Sequence, residues 1–128
     1  MSNQPNFGEF CWNELATPNL QAAKDFYGKM FGWQFAEHDM GDYTYTMIKK
    51  NNKDLGGIWS IPKEQQKQIP PHWMTYILVE DLEAALEQAK KHGATIMKGA
   101  TPAGEMGRFG VIVDPTGAHI AFWQTNKG

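Results

Sequence analysis

An α+β chain built from two tandem βαβββ modules is what this sequence predicts, on three observations. Asn19-Leu20-Gln21-Ala22-Ala23 is echoed by Asp81-Leu82-Glu83-Ala84-Ala85, 62 residues further along a chain of 128. Each copy stands at the same point in its surroundings, after an apolar stretch of strand character and before a helical pattern. Tyr45 to Trp59 and Phe109 to Trp123 span equal distances, so the likeness runs to the ends of both halves. Self-similarity at a fixed period marks one supersecondary unit used twice. The modules divide at 1–66 and 67–128 and make one compact domain, since a half of about 60 residues has only a marginal core by itself.

The first module opens with a short extended run, Phe10 to Leu15, closed by the capping sequence Thr17-Pro18-Asn19. Leu20, Ala23, Tyr27, Met30 and Phe31 then recur at helical spacing, which gives a helix one apolar face, and Gly32 supplies its stop before Trp33-Gln34-Phe35. Tyr43 to Lys49 alternates apolar with polar, Asn51-Asn52-Lys53-Asp54 has turn chemistry, and Gly57 to Ile61 resumes the extended pattern as a hairpin. The polar, proline-terminated stretch 63–71 is the join. In the second module Trp73 to Val79 is strand-like, Glu80-Asp81 offers a cap, and Leu82, Ala85, Leu86 and Ala89 form a buried helical face. Lys90-Lys91-His92-Gly93 ends that helix, with cations at the negative end of its dipole and glycine suited to a left-handed conformation. After Ala94 to Lys98 a glycine-rich stretch runs to Gly110 and reads as a turning loop able to cover a cavity. Val111-Ile112-Val113, the turn Asp114-Pro115-Thr116-Gly117 and a strand from His119 to Gln124 close the chain.

Composition excludes several functions. A net charge of −2 and a pI near 6.0 provide no field to hold nucleic acid or an anionic membrane. Residues 1–10 contain neither a basic nor an apolar leader segment, and no run approaches the roughly 18 apolar residues of a membrane span. A cytoplasmic protein is expected. Cys11 is the sole cysteine, so there is no internal disulfide or thiolate zinc cluster, and it reads as apolar strand filler. No serine, cysteine or lysine has the neighbours that activate a nucleophile.

Leu20-Gln21-Ala22-Ala23-Lys24-Asp25-Phe26-Tyr27 with Phe31-Gly32-Trp33, then Leu55-Gly56-Gly57, Gly107-Arg108-Phe109 and Asp114-Pro115-Thr116-Gly117-Ala118 resemble the vicinal oxygen chelate superfamily. That superfamily includes glyoxalase I, extradiol dioxygenases and bleomycin-resistance proteins. The resemblance runs from about Phe7 to Trp123. It implies an incomplete barrel of curved sheets around a cavity, with helices outside and paired modules. A homodimer is expected, because an open sheet edge benefits from being covered. A fold hosts many chemistries, so the resemblance does not name a reaction.

In metal-using relatives the ligands come from the first and last strand of each module, usually as histidine or glutamate. Counted from the helix caps and closing hairpins, those positions hold Trp12, Met74, Gly57 and Ala121. Indole and alkyl groups donate no lone pair to a divalent ion, and a thioether favours soft metals. No metal or other cofactor is therefore expected at the usual site. Strand alternation places Glu14 with Trp12, His72 with Met74 and His119 with Ala121. Two histidines and a carboxylate are the ligands of a facial-triad iron site, although each stands about 6.6 Å along its strand from the usual level.

The chain has 16 aromatic rings, and Trp12, Trp59 and Trp123 share the inward parity beside small Gly57 and Ala121. Rings separated by small residues make a slot for a flat or apolar small organic molecule. Arg108 is a candidate contact for an anionic ligand. Glu14, between apolar strand neighbours, is the first choice for a polar contact or proton-transfer group, with His72 and His119 as partners. The leading expectation is a glyoxalase-like small-molecule-binding protein without the usual metal, which sequesters its ligand or acts on it through Glu14. A metal-dependent lyase or dioxygenase with relocated ligands, and a resistance-type drug binder, are the alternatives.

Overall fold

The computed structural model describes residues 5–39 and 44–126. Tyr43, read above as the head of a strand, and the first four residues of the leader reading lie outside the described residues. The elements run β1 (Phe10–Thr17), α1 (Leu20–Phe31), β2 (Gln34–Asp39), β3 (Thr44–Lys50), β4 (Lys53–Ser60), a 3-10 turn (Lys63–Gln65), β5 (His72–Leu78), α2 (Leu82–Lys91), β6 (Thr95–Ala103), β7 (Gly107–Val113) and β8 (His119–Thr125). Two βαβββ units in sequence follow from that order. Among the described residues no helix is long and apolar enough to cross a membrane.

The chain divides into two compact units, Trp12–Met74 and the combination of Met1–Cys11 with Thr75–Gly128. The boundary lies beyond the join at 66 and 67 because Trp73 packs with the first helix. Its indole nitrogen donates to the Tyr27 hydroxyl at 3.2 Å, and its ring meets that of Tyr27 edge-on with centroids 5.6 Å apart. Similarly, Gly8 N donates to Leu78 O and Leu78 N to Glu9 O, which ties the chain's beginning to the second unit.

In the unit Trp12–Met74 the strand order is β2-β3-β4-β1, with β1 and β4 parallel and the other pairs antiparallel. Leu15, Ile48 and Ile58 form its buried core, and Leu20, Ala23, Tyr27, Trp33 and Phe35 pack on them. The helix begins where the sequence places it. Asn19 Oδ1 accepts from Ala22 N at 3.0 Å, and Gly32 closes the far end with φ of 71°. The β3–β4 turn is tighter than expected: Asn51 and Asn52 both have positive φ, at 53° and 63°, the signature of a two-residue primed turn, so the strand resumes at Lys53.

The other unit orders its strands β5-β8-β7-β6, with β5 and β8 parallel. Leu82, Leu86 and Ile112 are its core. Asp81 caps α2 by accepting from Ala84 N at 3.1 Å, and Gly93 takes φ of 97° after the helix. The Asp114 carboxylate accepts from Thr116 Oγ1, Thr116 N and Ala118 N, and these bonds, led by the Thr116 hydroxyl, hold its pKa below the ordinary carboxylate value. One expectation fails here. The stretch from 99 to 110 is not a covering loop, because β6 extends to Ala103 through two register shifts and β7 starts at Gly107. Gly104, with φ of 59°, makes the turn between the strands, and Gly107 and Gly110 serve strand packing. A Cβ on Gly107 would lie 2.7 Å from the Trp123 ring, and one on Gly110 would lie 3.1 Å from Leu86 Cδ2.

Thr46, on β3, is 1% exposed, and its hydroxyl has no hydrogen-bond partner among the described residues. A buried hydroxyl without a partner costs roughly 1–3 kcal/mol. Thr46→Val keeps the shape and removes that cost, so urea denaturation should show a gain of about 1 kcal/mol; a loss of stability would show that the hydroxyl is satisfied in solution.

Candidate functional site

Alternation along β1 sends Leu15 into the core beneath α1 and sets Trp12, Glu14 and Ala16 on the opposite face. There the Trp12 indole N–H donates to the Tyr45 hydroxyl at 3.0 Å, and that hydroxyl donates to Glu14 Oε2 at 2.7 Å. Donor, relay and acceptor are thus arranged in one chain, with all three side chains half-buried. A phenol donating to a carboxylate is a charge-assisted bond, stronger than a neutral one, and it fixes the acceptor oxygen. Gly57 pairs with Glu14 in the parallel β1–β4 register. A Cβ at Gly57 would stand 1.8 Å from the Tyr45 oxygen and 2.1 Å from its Cζ. The glycine is therefore the floor on which the tyrosine ring lies. Trp59, two residues on, has the same strand parity and pairs with Ala16.

The second unit repeats this arrangement with different chemistry. Tyr76 pairs with Ala121 as Glu14 does with Gly57, and Phe109 precedes Ala121's antiparallel partner Val111 by two residues, as Tyr45 precedes Met47. Tyr76 and Phe109 meet edge-on with centroids 6.3 Å apart, and the Lys98 ammonium lies 5.9 Å over the Phe109 ring. Trp123 pairs with Phe109, and its indole nitrogen donates to Thr125 Oγ1 at 3.1 Å. The carboxylate of Glu14 in the first unit is thus matched by the ring of Tyr76 in the second.

Several sequence candidates stand elsewhere. Arg108 pairs bidentately with Glu83 at 2.6 Å for both bonds and adds a 3.2 Å bond to Gln124, whose amide oxygen also accepts from Leu82 N. Glu83 is held below its ordinary pKa chiefly by these arginine hydrogen bonds. These bonds hold the guanidinium at the start of α2. His72 lies with its Nδ1 2.7 Å from Pro70 O, and Met74 is half-buried two residues further on β5. His119 is exposed at the start of β8, paired with Val113. Burial raises the pKa of the Cys11 thiol, which suits an inert strand residue.

Tyr45 and Lys98 were missed by the sequence reading. Tyr45 entered it only as the start of the repeated segment Tyr45–Trp59 and as part of an alternating strand. Its signal was the pairing of a large ring with glycine across a strand hairpin. Lys98 gave no signal beyond its charge.

The residues present do not fit the metal that the fold family uses. Trp12 and Met74 bring no hard ligand, Gly57 has no side chain, and the Ala121 methyl is buried. Relocation is not supported either: among the described residues no group of three or more His, Cys, Asp or Glu could hold a metal ion.

Residues 10–122 match the model of the Glyoxalase/Bleomycin resistance protein/Dioxygenase superfamily. The chain belongs to that superfamily. Within the glyoxalase superfamily it is 35% identical, over 118 residues, to "Putative glyoxylase CFP32" of Mycobacterium bovis, which covers 91% of this chain and 45% of that protein. It is 26% identical to the anthracycline biosynthesis protein DnrV of Streptomyces peucetius, again over 91% of this chain and 47% of the relative. The chain thus spans just under half the length of these curated relatives. Among solved structures, methylmalonyl-CoA epimerase from Mycobacterium tuberculosis superposes with a TM-score of 0.64 at 14% identity, covering 99% of this chain and 94% of that one. At that identity the likeness shows the shared superfamily fold.

Proposed function

We propose that this glyoxalase-superfamily chain binds a flat or apolar small organic molecule and works without a metal, Glu14 supplying the polar contact and the proton transfer. The observation that carries this reading is the Trp12–Tyr45–Glu14 hydrogen-bond chain laid over Gly57. A carboxylate set among rings accepts a proton from a bound molecule and returns it, while the Tyr45 hydroxyl follows the change in charge by strengthening or relaxing its bond. Trp12 and Trp59 offer flat apolar surface beside it. The relative named for anthracycline biosynthesis supports a ligand that presents a flat ring system.

Tryptophan fluorescence titrated with a library of flat and apolar metabolites tests this. The emission should respond to such ligands and stay unchanged on adding zinc, nickel, manganese or iron(II). Trp12→Ala should weaken binding by about 1–2 kcal/mol through lost stacking and apolar contact. Glu14→Gln should retain apolar ligands and abolish turnover and polar selectivity. A stoichiometric metal lost alike in Glu14→Gln, His72→Ala and His119→Ala would overturn the reading, as would a library to which the emission is silent.

A further inference from the structure

We propose that the sheet face of the second unit turned away from α2 binds a flat aromatic molecule through an anionic group, with Lys98 supplying the charge, independently of what Glu14 does. The course of β6 carries this inference. Ile96 pairs with Ile112 and packs against the cluster of Leu82, Leu86 and Ile112, so it points under α2. Strand alternation would send Lys98, two residues on, to that same side. It goes to the other. Lys98 pairs with Val111, the residue next to Ile112, because Met97 is an extra residue bulged between the two pairs, and its ammonium comes to lie 5.9 Å over the Phe109 ring. A bulge re-aims a side chain, and this one sets a cation on an aromatic face.

The internal repeat supplies a control. In the first unit β2 and β3 pair without a register shift, from Gln34 with Lys49 to Asp39 with Thr44. Ala36 there faces Met47, the counterpart of Val111, and so holds the position that Lys98 holds in the second unit. A βαβββ unit therefore forms with neither the bulge nor the lysine. The repeat has also divided its charges: one unit carries the Glu14 carboxylate and an alanine at these two places, the other carries Tyr76 and a lysine.

Charge and surface together define the ligand. Among the described residues no carboxylate pairs with Lys98, whereas Lys24, Lys49 and Arg108 each pair with one. A ring quadrupole holds an ammonium without neutralising it, so the charge and its N–H donors are left for an anion. Flat surface lies beside it. Trp123 pairs with Phe109 and shares its face, and its indole lies over Gly107, where a Cβ would come within 2.7 Å of Cζ2. Both rings are half-buried, so part of each stays open. The chain as a whole carries a net charge of −2, which repels an anion, so a preference for one has to come from a local cation.

Titration of the full chain with naphthoate and with its uncharged amide, followed by amide NMR, tests this. Both probes should shift the Trp123 indole N–H and the Phe109 amide, and naphthoate should bind about fivefold more tightly, the upper end for an exposed ion pair. Salt should shrink that preference. Lys98→Met keeps the length of the side chain and should abolish the preference, while Lys98→Arg should retain it. Lys98 is exposed, so neither replacement disturbs the core. Glu14→Gln should leave both affinities unchanged, which separates failure here from failure of the acid–base reading. Equal affinity for acid and amide in the wild-type chain overturns the proposal, as does a preference that survives Lys98→Met or vanishes in Glu14→Gln. So does a titration in which neither probe moves the Phe109 and Trp123 signals.

Discussion

Gly57→Ala is expected to cost about 3 kcal/mol of stability, combining overpacking of about 1–3 kcal/mol with loss of a charge-assisted hydrogen bond. The added methyl would occupy the place of the Tyr45 phenol, 1.8 Å from its oxygen. The ring must leave, and with it go the bonds to Glu14 and from Trp12. Urea denaturation measures the cost, and a double-mutant cycle assigns it. In a Tyr45→Ala background the ring is absent, so adding Gly57→Ala should cost less than about 1 kcal/mol. Equal cost in both backgrounds would show that something other than Tyr45 forbids a side chain there.

Leu82→Ala is the second large effect, at about 3 kcal/mol within the 2–5 kcal/mol found for buried leucines. Leu82 is 0% exposed and packs with Leu86 and Ile112 at the start of α2. Its amide donates to Gln124 Oε1 at 2.7 Å, and Gln124 in turn accepts from Arg108, so the helix start is fixed on both sides and has little freedom to collapse into the cavity. A thermal midpoint lowered by roughly 10 °C would agree. A shift under about 2 °C would mean that the neighbours close the gap.

The caps, the helices and the order of strands were legible because their causes are local. Asn19 and Asp81 bond amides three residues away, and Gly32 and Gly93 adopt positive φ where their helices stop. The 62-residue echo carried the rest of the architecture. The course of β6 was not legible, since Gly107 and Gly110 look like loop residues until Trp123 and Leu86, both distant in sequence, are seen against them. The site divides in the same way. Glu14 and Trp12 share a face by strand parity alone, which a sequence shows. Tyr45 reaches them from 31 residues further along the chain, across β4, and its role depends on the missing side chain of Gly57. The pairing of Arg108 with Glu83 is set by the packing of α2, which parity does not reveal.

Duplication of the scaffold without duplication of its carboxylate has a consequence for stoichiometry. At the places of Glu14, Tyr45 and Gly57 the second unit carries Tyr76, Phe109 and Ala121, and Ala121 bears the methyl that Gly57 cannot. A protein with two equal modules would titrate two protons and two ligands per chain. Here Glu14 has no counterpart carboxylate in the second module, so a ligand that depends on Glu14 should saturate at one equivalent per chain in calorimetry.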